Sequence, residues 1–112
     1  MERSKFISPV LYLIIYLNVV NYCSAQVNQD SLYRIIKNTS VHDTIRFKAM
    51  DKLAWEKIYN DPDSSLALGI AEMELPGTKG NKKYRSGALN TMATAYYLKS
   101  DYASSLKYHK EN

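Results

Sequence analysis

The spacing of apolar residues constrains this chain most, because from residue 43 onward they recur at the three- and four-residue steps of one helix face. One such segment carries Ile45, Phe47, Met50, Leu53, Ala54 and Ile58, and the next carries Leu66, Ile70 and Met73. No segment alternates apolar and polar residues in the way that predicts a half-buried strand. The expected fold class is therefore all-α.

Start and stop signals divide the chain into five predicted helices. Aspartate is favoured at the cap before a helix, and proline at the first helical position. The predicted order is a helix over 31–38 capped by Asp30, a loop over 38–42, a helix capped by Asp43, a helix from Asp61-Pro62 to Pro76-Gly77, a Gly/Lys linker over 77–83, and helices over about 83–98 and 102–112.

The predicted helices form two pairs that compare as an internal repeat. Met50-x-x-Leu53-Ala54 in the first pair corresponds to Leu89-x-x-Met92-Ala93 in the second, an offset of 39 residues from Leu53 to Met92. The turn Asp61-Pro62-Asp63 then corresponds to Ser100-Asp101-Tyr102. A fixed period of this length is typical of helical repeat proteins.

Residues 43–112 resemble tetratricopeptide repeats. The first-helix signature of that family is matched by Leu89-x-x-Met92-Ala93-x-x-Tyr96, and the second-helix signature, a small residue and then an aromatic, by Ser105-x-x-x-His109. Lys57, Ser105 and His109 depart from the usual tyrosine, alanine and aromatic. The usual period is about 34 residues, and the linker accounts for the excess. The resemblance implies a helix-turn-helix solenoid of about two pairs, 43–76 and a truncated 83–112, after a lead-in helix and loop over 26–42.

The lengthened repeat is similar to those in the exported amino-terminal sensor regions of Bacteroidetes-type signalling proteins. In that group the repeats precede a membrane segment and a histidine kinase, adenylate cyclase or transcriptional regulator. Leu53-Ala54-Trp55-Glu56, followed by Asp61-Pro62-Asp63, is similar to a first repeat there. The resemblance implies a protein–protein interaction module that binds a partner segment on its concave face. The alternative is a truncated periplasmic sensor region of a membrane-bound signal-transduction protein.

Residues 1–25 have the pattern of a secretory signal peptide. Arg3 and Lys5 precede an apolar run over 6–20, and Cys23-Ser24-Ala25 offers small residues at both positions that a signal peptidase reads. Cleavage between Ala25 and Gln26 would place the protein in the periplasm or cell envelope. An uncleaved anchor is the alternative, although the run is short for a span of about 20 apolar residues.

Charge and cysteine content exclude several functions for the predicted mature chain. Removing residues 1–25 takes away two basic residues and one acidic residue, so the net charge falls from +4 to +3. That charge is too small to indicate a nucleic-acid binder. The single cysteine lies in the signal, so we expect neither a disulfide nor thiol chemistry. A domain of under 90 residues without disulfides has a core of marginal stability. We therefore also expect that the protein can self-associate.

The resemblance also implies which residues would contact a protein or peptide partner. First helices of each pair line the concave face, which here would carry Lys48, Asp51, Trp55 and Ile58 from one pair and Gly87, Asn90, Thr94 and Tyr97 from the other. The partner-binding residues predicted on this basis are Lys48, Asp51, Trp55, Asn90, Thr94 and Tyr97. The alternative for Trp55, which aromatic burial favours, is packing in the core; for Tyr97 the two interpretations weigh equally.

No cofactor, metal ion or catalytic site is predicted. Asp61, Asp63, Ser65 and Glu72 fall at calcium-loop positions, but Leu66 replaces the required glycine and the helical spacing continues through the segment. The linker over 77–83 lacks the GKS or GKT ending of a phosphate loop and is better explained as a solvated basic loop. Since no nucleophile motif or paired acids appear, we expect a protein that is not an enzyme.

Overall fold

A computed structural model describes residues 2–112, and the side chains of residues 9–19 and 28–112 within them. Every regular element in residues 2–112 is a helix, which confirms the all-α prediction. The helices are α1 (Glu2–Lys37), α2 (Asp43–Lys57), α3 (Pro62–Glu74), α4 (Pro76–Lys79), α5 (Lys82–Leu98) and α6 (Tyr102–Glu111). The chain divides into two compact units, Met1–Ser31 and Leu32–Asn112.

The predicted lead-in helix over 31–38 begins far earlier than expected. Asp30 is an interior residue of α1 rather than its cap, because no glycine or proline interrupts the chain between Pro9 and the end of α1 at Lys37. In the first unit the large apolar side chains from Val10 to Val19 are all more than half exposed. Among the described helices, none combines the length and the apolar character needed to cross a membrane.

Of the aspartates predicted to cap α2 and α3, one forms the cap and the other does not. Asp61 caps α3 as predicted: its carboxylate accepts hydrogen bonds from the Ser64 backbone N–H at 3.1 Å and from the Ser64 hydroxyl at 2.5 Å. Asp43 does not cap α2, because the His42 ring nitrogen Nδ1 takes that role by accepting from the Thr44 backbone N–H at 3.2 Å. Asp43 is instead the first helical residue, and its carboxylate accepts from the Gly77 backbone N–H at 3.2 Å.

The predicted linker over 77–83 is partly helical. Pro76 occupies the first position of the short helix α4, and the Asn81 side chain caps α5 by accepting from the Lys83 and Tyr84 backbone N–H groups. Thr78, in the middle of this segment, is buried. Burial of Thr78 and the bond from Gly77 to Asp43 hold the segment against the helices, which explains why its glycines and lysines did not leave it as an open loop.

Helices of the second unit pack in chain order. We call α2 and α3 the first pair and α5 and α6 the second pair; α3 packs against both α2 and α5, α5 packs against α6, and α2 also contacts α5. One apolar cluster contains Phe47, Met50, Leu75 and Ala88, and another contains Leu32, Ala49 and Leu53. Glycine at position 69 permits close approach of α3 to α5, since a β-carbon there would lie 2.8 Å from Cγ of Met92.

In both pairs the same kind of hydrogen bond joins the two helices, from a serine of the second helix to an alanine carbonyl of the first; we call it the closing bond. The Ser65 hydroxyl donates to the Ala54 carbonyl at 2.6 Å, and the Ser105 hydroxyl donates to the Ala93 carbonyl at 2.8 Å. Both serines are buried. These bonds make Ala54 equivalent to Ala93, in agreement with the offset of 39 residues found in the sequence.

The predicted equivalence of the two turns is wrong by one residue. Asp101 caps α6 through the Ser104 N–H and hydroxyl, as Asp61 caps α3 through Ser64, so the offset in the second helices is 40. The extra residue is Ser100, the one described non-glycine residue with a positive φ, 65°. It ends α5 in a left-handed conformation, with the Asp101 N–H bonded to the Tyr96 carbonyl at 2.9 Å, the arrangement of a Schellman motif.

Candidate interaction surface

The residues predicted to bind a partner form two rows on the first helices of the two pairs. We call Lys48, Asp51 and Trp55 the α2 row, and Asn90, Thr94 and Tyr97 the α5 row. Within each row the residues are three or four positions apart, the spacing of one helix face. The offset of 39 makes Asp51 equivalent to Asn90 and Trp55 equivalent to Thr94.

A hydrogen bond between the two first helices connects α2 to α5 at these rows. The Thr91 hydroxyl lies 3.2 Å from Oδ1 of Asp51 and 3.1 Å from the Gly87 carbonyl oxygen, so its single hydrogen is shared between two acceptors. Thr91 is adjacent in sequence to Asn90 and one turn from Thr94 on the same helix. The bond therefore brings Asp51 of the α2 row close to the α5 row.

Most side chains of the two rows are accessible. Lys48 and Asn90 are exposed, and Asp51 and Thr94 are half-buried. Tyr97 is 58% exposed and makes an edge-on contact with the Tyr102 ring, the ring centroids being 5.3 Å apart. An accessible aromatic ring held by a neighbouring ring can provide contact area at low entropic cost.

The interpretation of Trp55 as a core residue is wrong, because its side chain is 38% exposed. Trp55 lies one turn after Asp51 on α2, on the same helix face, and its interaction with the Asp51 carboxyl lowers the pKa of that group. The ring therefore lies beside the Asp51 carboxylate.

Ile58 and Gly87, which were also expected on the concave face, do not present a contact surface. Ile58 is fully buried; it is the C-cap residue of α2, where the chain turns towards α3. Burial of such a side chain stabilises the fold by roughly 1.5–3 kcal/mol. Gly87 is half-buried, and a β-carbon there would lie 3.4 Å from the Phe47 ring.

Sequence reasoning weighed Glu72 only as a calcium-loop position and missed its place in the core. It is fully buried, and neither carboxyl oxygen has a hydrogen-bond partner among the described residues. Burial, and secondarily the negative charge of Asp51, raises the pKa of Glu72 to about 9. The side chain is therefore protonated at neutral pH. Its position was readable from the sequence, since Ser65, Gly69 and Glu72 follow the four- and three-residue spacing of one buried face of α3.

Asp51 shares this polar environment. Burial raises the pKa of the Asp51 carboxyl, and hydrogen bonds from Thr91 and Trp55 oppose that rise. A raised pKa from burial together with a nearby acid is a physical sign of a site whose charge is not balanced by the fold itself.

A second concave region lies where α5 begins and α6 ends. It encloses about 410 Å³ and is lined by Lys82, Arg85, Ser86, Leu89, Glu111 and Asn112. Arg85 and Glu111 form an ion pair across it at 3.6 Å, and both side chains are nearly half exposed. An exposed pair of this kind contributes about 0–1 kcal/mol, so the region has little to hold a specific ligand.

No protein-family model matches this chain, and neither does any curated protein or solved structure.

Proposed function

We propose that this chain is an exported helical-repeat interaction module, similar to tetratricopeptide repeats, that binds a partner segment along the α2 and α5 rows. The observation that supports this most directly is the Asp51–Thr91 bond, which joins the two first helices beside accessible Trp55 and Tyr97. An extended or helical peptide laid across such neighbouring helices would contact both aromatic rings. Asn90, which is exposed, offers the amide that would bond the partner backbone.

The repeat character of the proposal is supported by the two equivalent serine–carbonyl bonds and the two equivalent aspartate caps. A pair of helices closed in the same way twice is a structural unit that can be stacked. First helices of stacked units lie side by side, which is the relation that α2 and α5 have through their contact.

Export is supported by the exposed apolar residues of the first unit. From Val10 to Val19 the large apolar side chains are exposed in every direction around α1, and such a surface is unfavourable in water. A segment that is recognised by the export machinery and then removed would account for it. The intact mass of the native product tests this part: a mass matching residues 26–112 supports cleavage after Ala25, and an unprocessed amino terminus contradicts it.

Photo-crosslinking in cells of the source organism tests partner binding. A photoreactive phenylalanine analogue is placed at Tyr97 in the α5 row and, as the matched control, at Ala67, an exposed residue of α3 outside both rows. We expect one discrete crosslinked species from position 97 and none from position 67. Equal crosslinking at the two positions, or none at position 97, would contradict the proposal.

A further inference from the structure

Asp51 of the α2 row and the nearby Glu72 have no ion-pair partner among the described side chains. Three ion pairs join described side chains, Arg46–Asp43, Arg85–Glu111 and Lys99–Asp63, and none includes Asp51 or Glu72. Lys48, one turn before Asp51, is exposed and forms none of these pairs. The hydrogen-bond donor to the Asp51 carboxyl is the neutral hydroxyl of Thr91.

Glu72 adds a second acid without a bonding partner among the described residues. Its two carboxyl oxygens are buried without a donor among the described residues, although Asp51 is near enough to affect its charge. Leaving a buried polar group unpaired is unfavourable. An amide or apolar residue would avoid placing two acids together, so packing alone does not explain this choice of residues.

The second helix pair provides an internal reference. Its offsets of 39 in the first helix and 40 in the second make Asn90 equivalent to Asp51 and Asn112 equivalent to Glu72. Both equivalents are neutral amides, and both are exposed. The pair of acids is therefore a property of the first pair and not of the repeated architecture.

From this arrangement we infer that Asp51 and Trp55 form a receptor for a basic side chain, lysine or arginine, of the partner segment. The carboxylate supplies the opposite charge, and the exposed part of the indole ring supplies a face on which a cation can rest. A partly desolvated carboxylate attracts a cation more strongly than one in open water. The inference rests on the proposed function, since it names the chemistry of the partner at the same surface.

Trp55 makes a direct test feasible, because it is the only tryptophan of the chain and lies beside Asp51. The full-length protein is titrated with N-acetyl-lysine methylamide, and separately with N-acetyl-norleucine methylamide, which has a similar side-chain length without the charge. We expect a saturable change in tryptophan emission with the lysine probe, and a response at least about fivefold weaker with the norleucine probe. Equal responses to the two probes would overturn the inference.

Two variants locate the effect. Asp51→Asn installs the neutral amide found at Asn90 and is expected to remove the preference for lysine. Asp63→Asn removes the same charge from an exposed position on α3 and is expected to leave the preference intact. Retention of the preference in Asp51→Asn, or its loss in both variants, would refute a specific receptor.

Salt dependence of the unmodified protein keeps the test decisive if Asp51→Asn fails to fold. Raising the salt concentration should weaken the lysine response and leave any norleucine response unchanged, because only the charged contact is screened. Crosslinking from Tyr97 without a lysine preference would leave the proposed function standing and remove this inference. A lysine preference without crosslinking would contradict the proposed function and leave Asp51 and Trp55 as a cation site with no partner segment.

Discussion

The two helix pairs are closed by the same bonds, yet their second helices have different surroundings. Among the described helices, α3 lies between α2 and α5, whereas α6 packs against α5 alone. In α3 two positions hold buried Gly69 and Glu72, whereas the equivalent residues of the second pair, His109 on α6 and Asn112 at its C-cap, are exposed. The closing bonds thus define each pair, while burial depends on the neighbour that the next pair supplies.

The comparison predicts a large difference between truncating a leucine that neighbouring helices cover and one on the exposed side of α6. Leu53 is fully buried between α2 and its neighbours, so Leu53→Ala should lower the free energy of unfolding by about 2–5 kcal/mol. Leu106 on α6 is 54% exposed, and Leu106→Ala should change it by less than about 0.5 kcal/mol. Urea denaturation followed by far-UV circular dichroism measures both. A comparable loss in Leu106→Ala would show that α6 is covered in solution, for example by a second copy of the chain.

Glu72 predicts a pH dependence that belongs to the first pair. Its folded pKa of about 9 lies above the ordinary value of 4.5, so between these values the folded state binds more protons than the unfolded state. Stability is therefore fully present below about pH 4.5 and falls as pH rises towards about 9. The steepest slope for one group is about 1.4 kcal/mol per pH unit.

Replacing Glu72 should remove this slope. Glu72→Met, which is apolar and of similar length, is expected to stabilise the protein at pH 7 by on the order of 1–3 kcal/mol, the cost of an unpaired buried polar group. Asn112→Glu is the matched control, since it places a carboxyl at the equivalent exposed position and should leave the pH profile unchanged. Urea midpoints from pH 5 to pH 9 give the result; an unaltered slope in Glu72→Met would assign the pH dependence to other groups.

The closing serines should behave alike in the two pairs. Ser65→Ala and Ser105→Ala each remove a buried hydroxyl that donates to a main-chain carbonyl at 2.6 or 2.8 Å. Each should cost about 0.5–1.5 kcal/mol. Thermal unfolding of the two variants checks this, and a loss confined to Ser65→Ala would show that the second pair is not closed by its bond in solution.

Local signals predicted most of the helices of the second unit. The Asp61-Pro62 start and the spacing of apolar residues in α2, α3 and α5 act within one or two turns, so the sequence contains what is needed to read them. The start of α1 and the helix α4 were mispredicted for different reasons. Asp30 is a residue type favoured at helix caps, but no glycine or proline between Pro9 and Lys37 interrupts α1 there. The helix α4 depends on the hydrogen bond from Gly77 to Asp43, which is distant in sequence.

The candidate site was less predictable than the fold. The resemblance and the offset of 39 assigned Asp51, Trp55 and Asn90 to their rows, but exposure depends on neighbours that sequence spacing does not show. Ile58 is buried although it was also expected on the concave face, and Trp55 is accessible although aromatic burial favoured the core. The raised pKa of Glu72 comes from packing of α3 against its neighbouring helices and from the charge of Asp51 on α2. Neither cause can be inferred from the sequence around Glu72.

The smallest predicted effect concerns the extra residue in the second turn. Ser100 adopts a φ of 65°, in the left-handed region that costs a residue with a β-carbon roughly 1–2 kcal/mol. Glycine carries no such penalty and is the usual residue at the left-handed position of a Schellman motif, one residue after the C-cap. Ser100→Gly should therefore stabilise the protein. The expected gain is about 0.5–1 kcal/mol, less than the full penalty, because glycine also increases the conformational freedom of the unfolded chain, which opposes folding. Asn60→Gly, in the shorter turn of the first pair where no described non-glycine residue has a positive φ, should not stabilise the protein. Thermal melts of the two variants measure the difference, and a gain of the same size from Asn60→Gly would show that the turns do not differ as their backbones indicate.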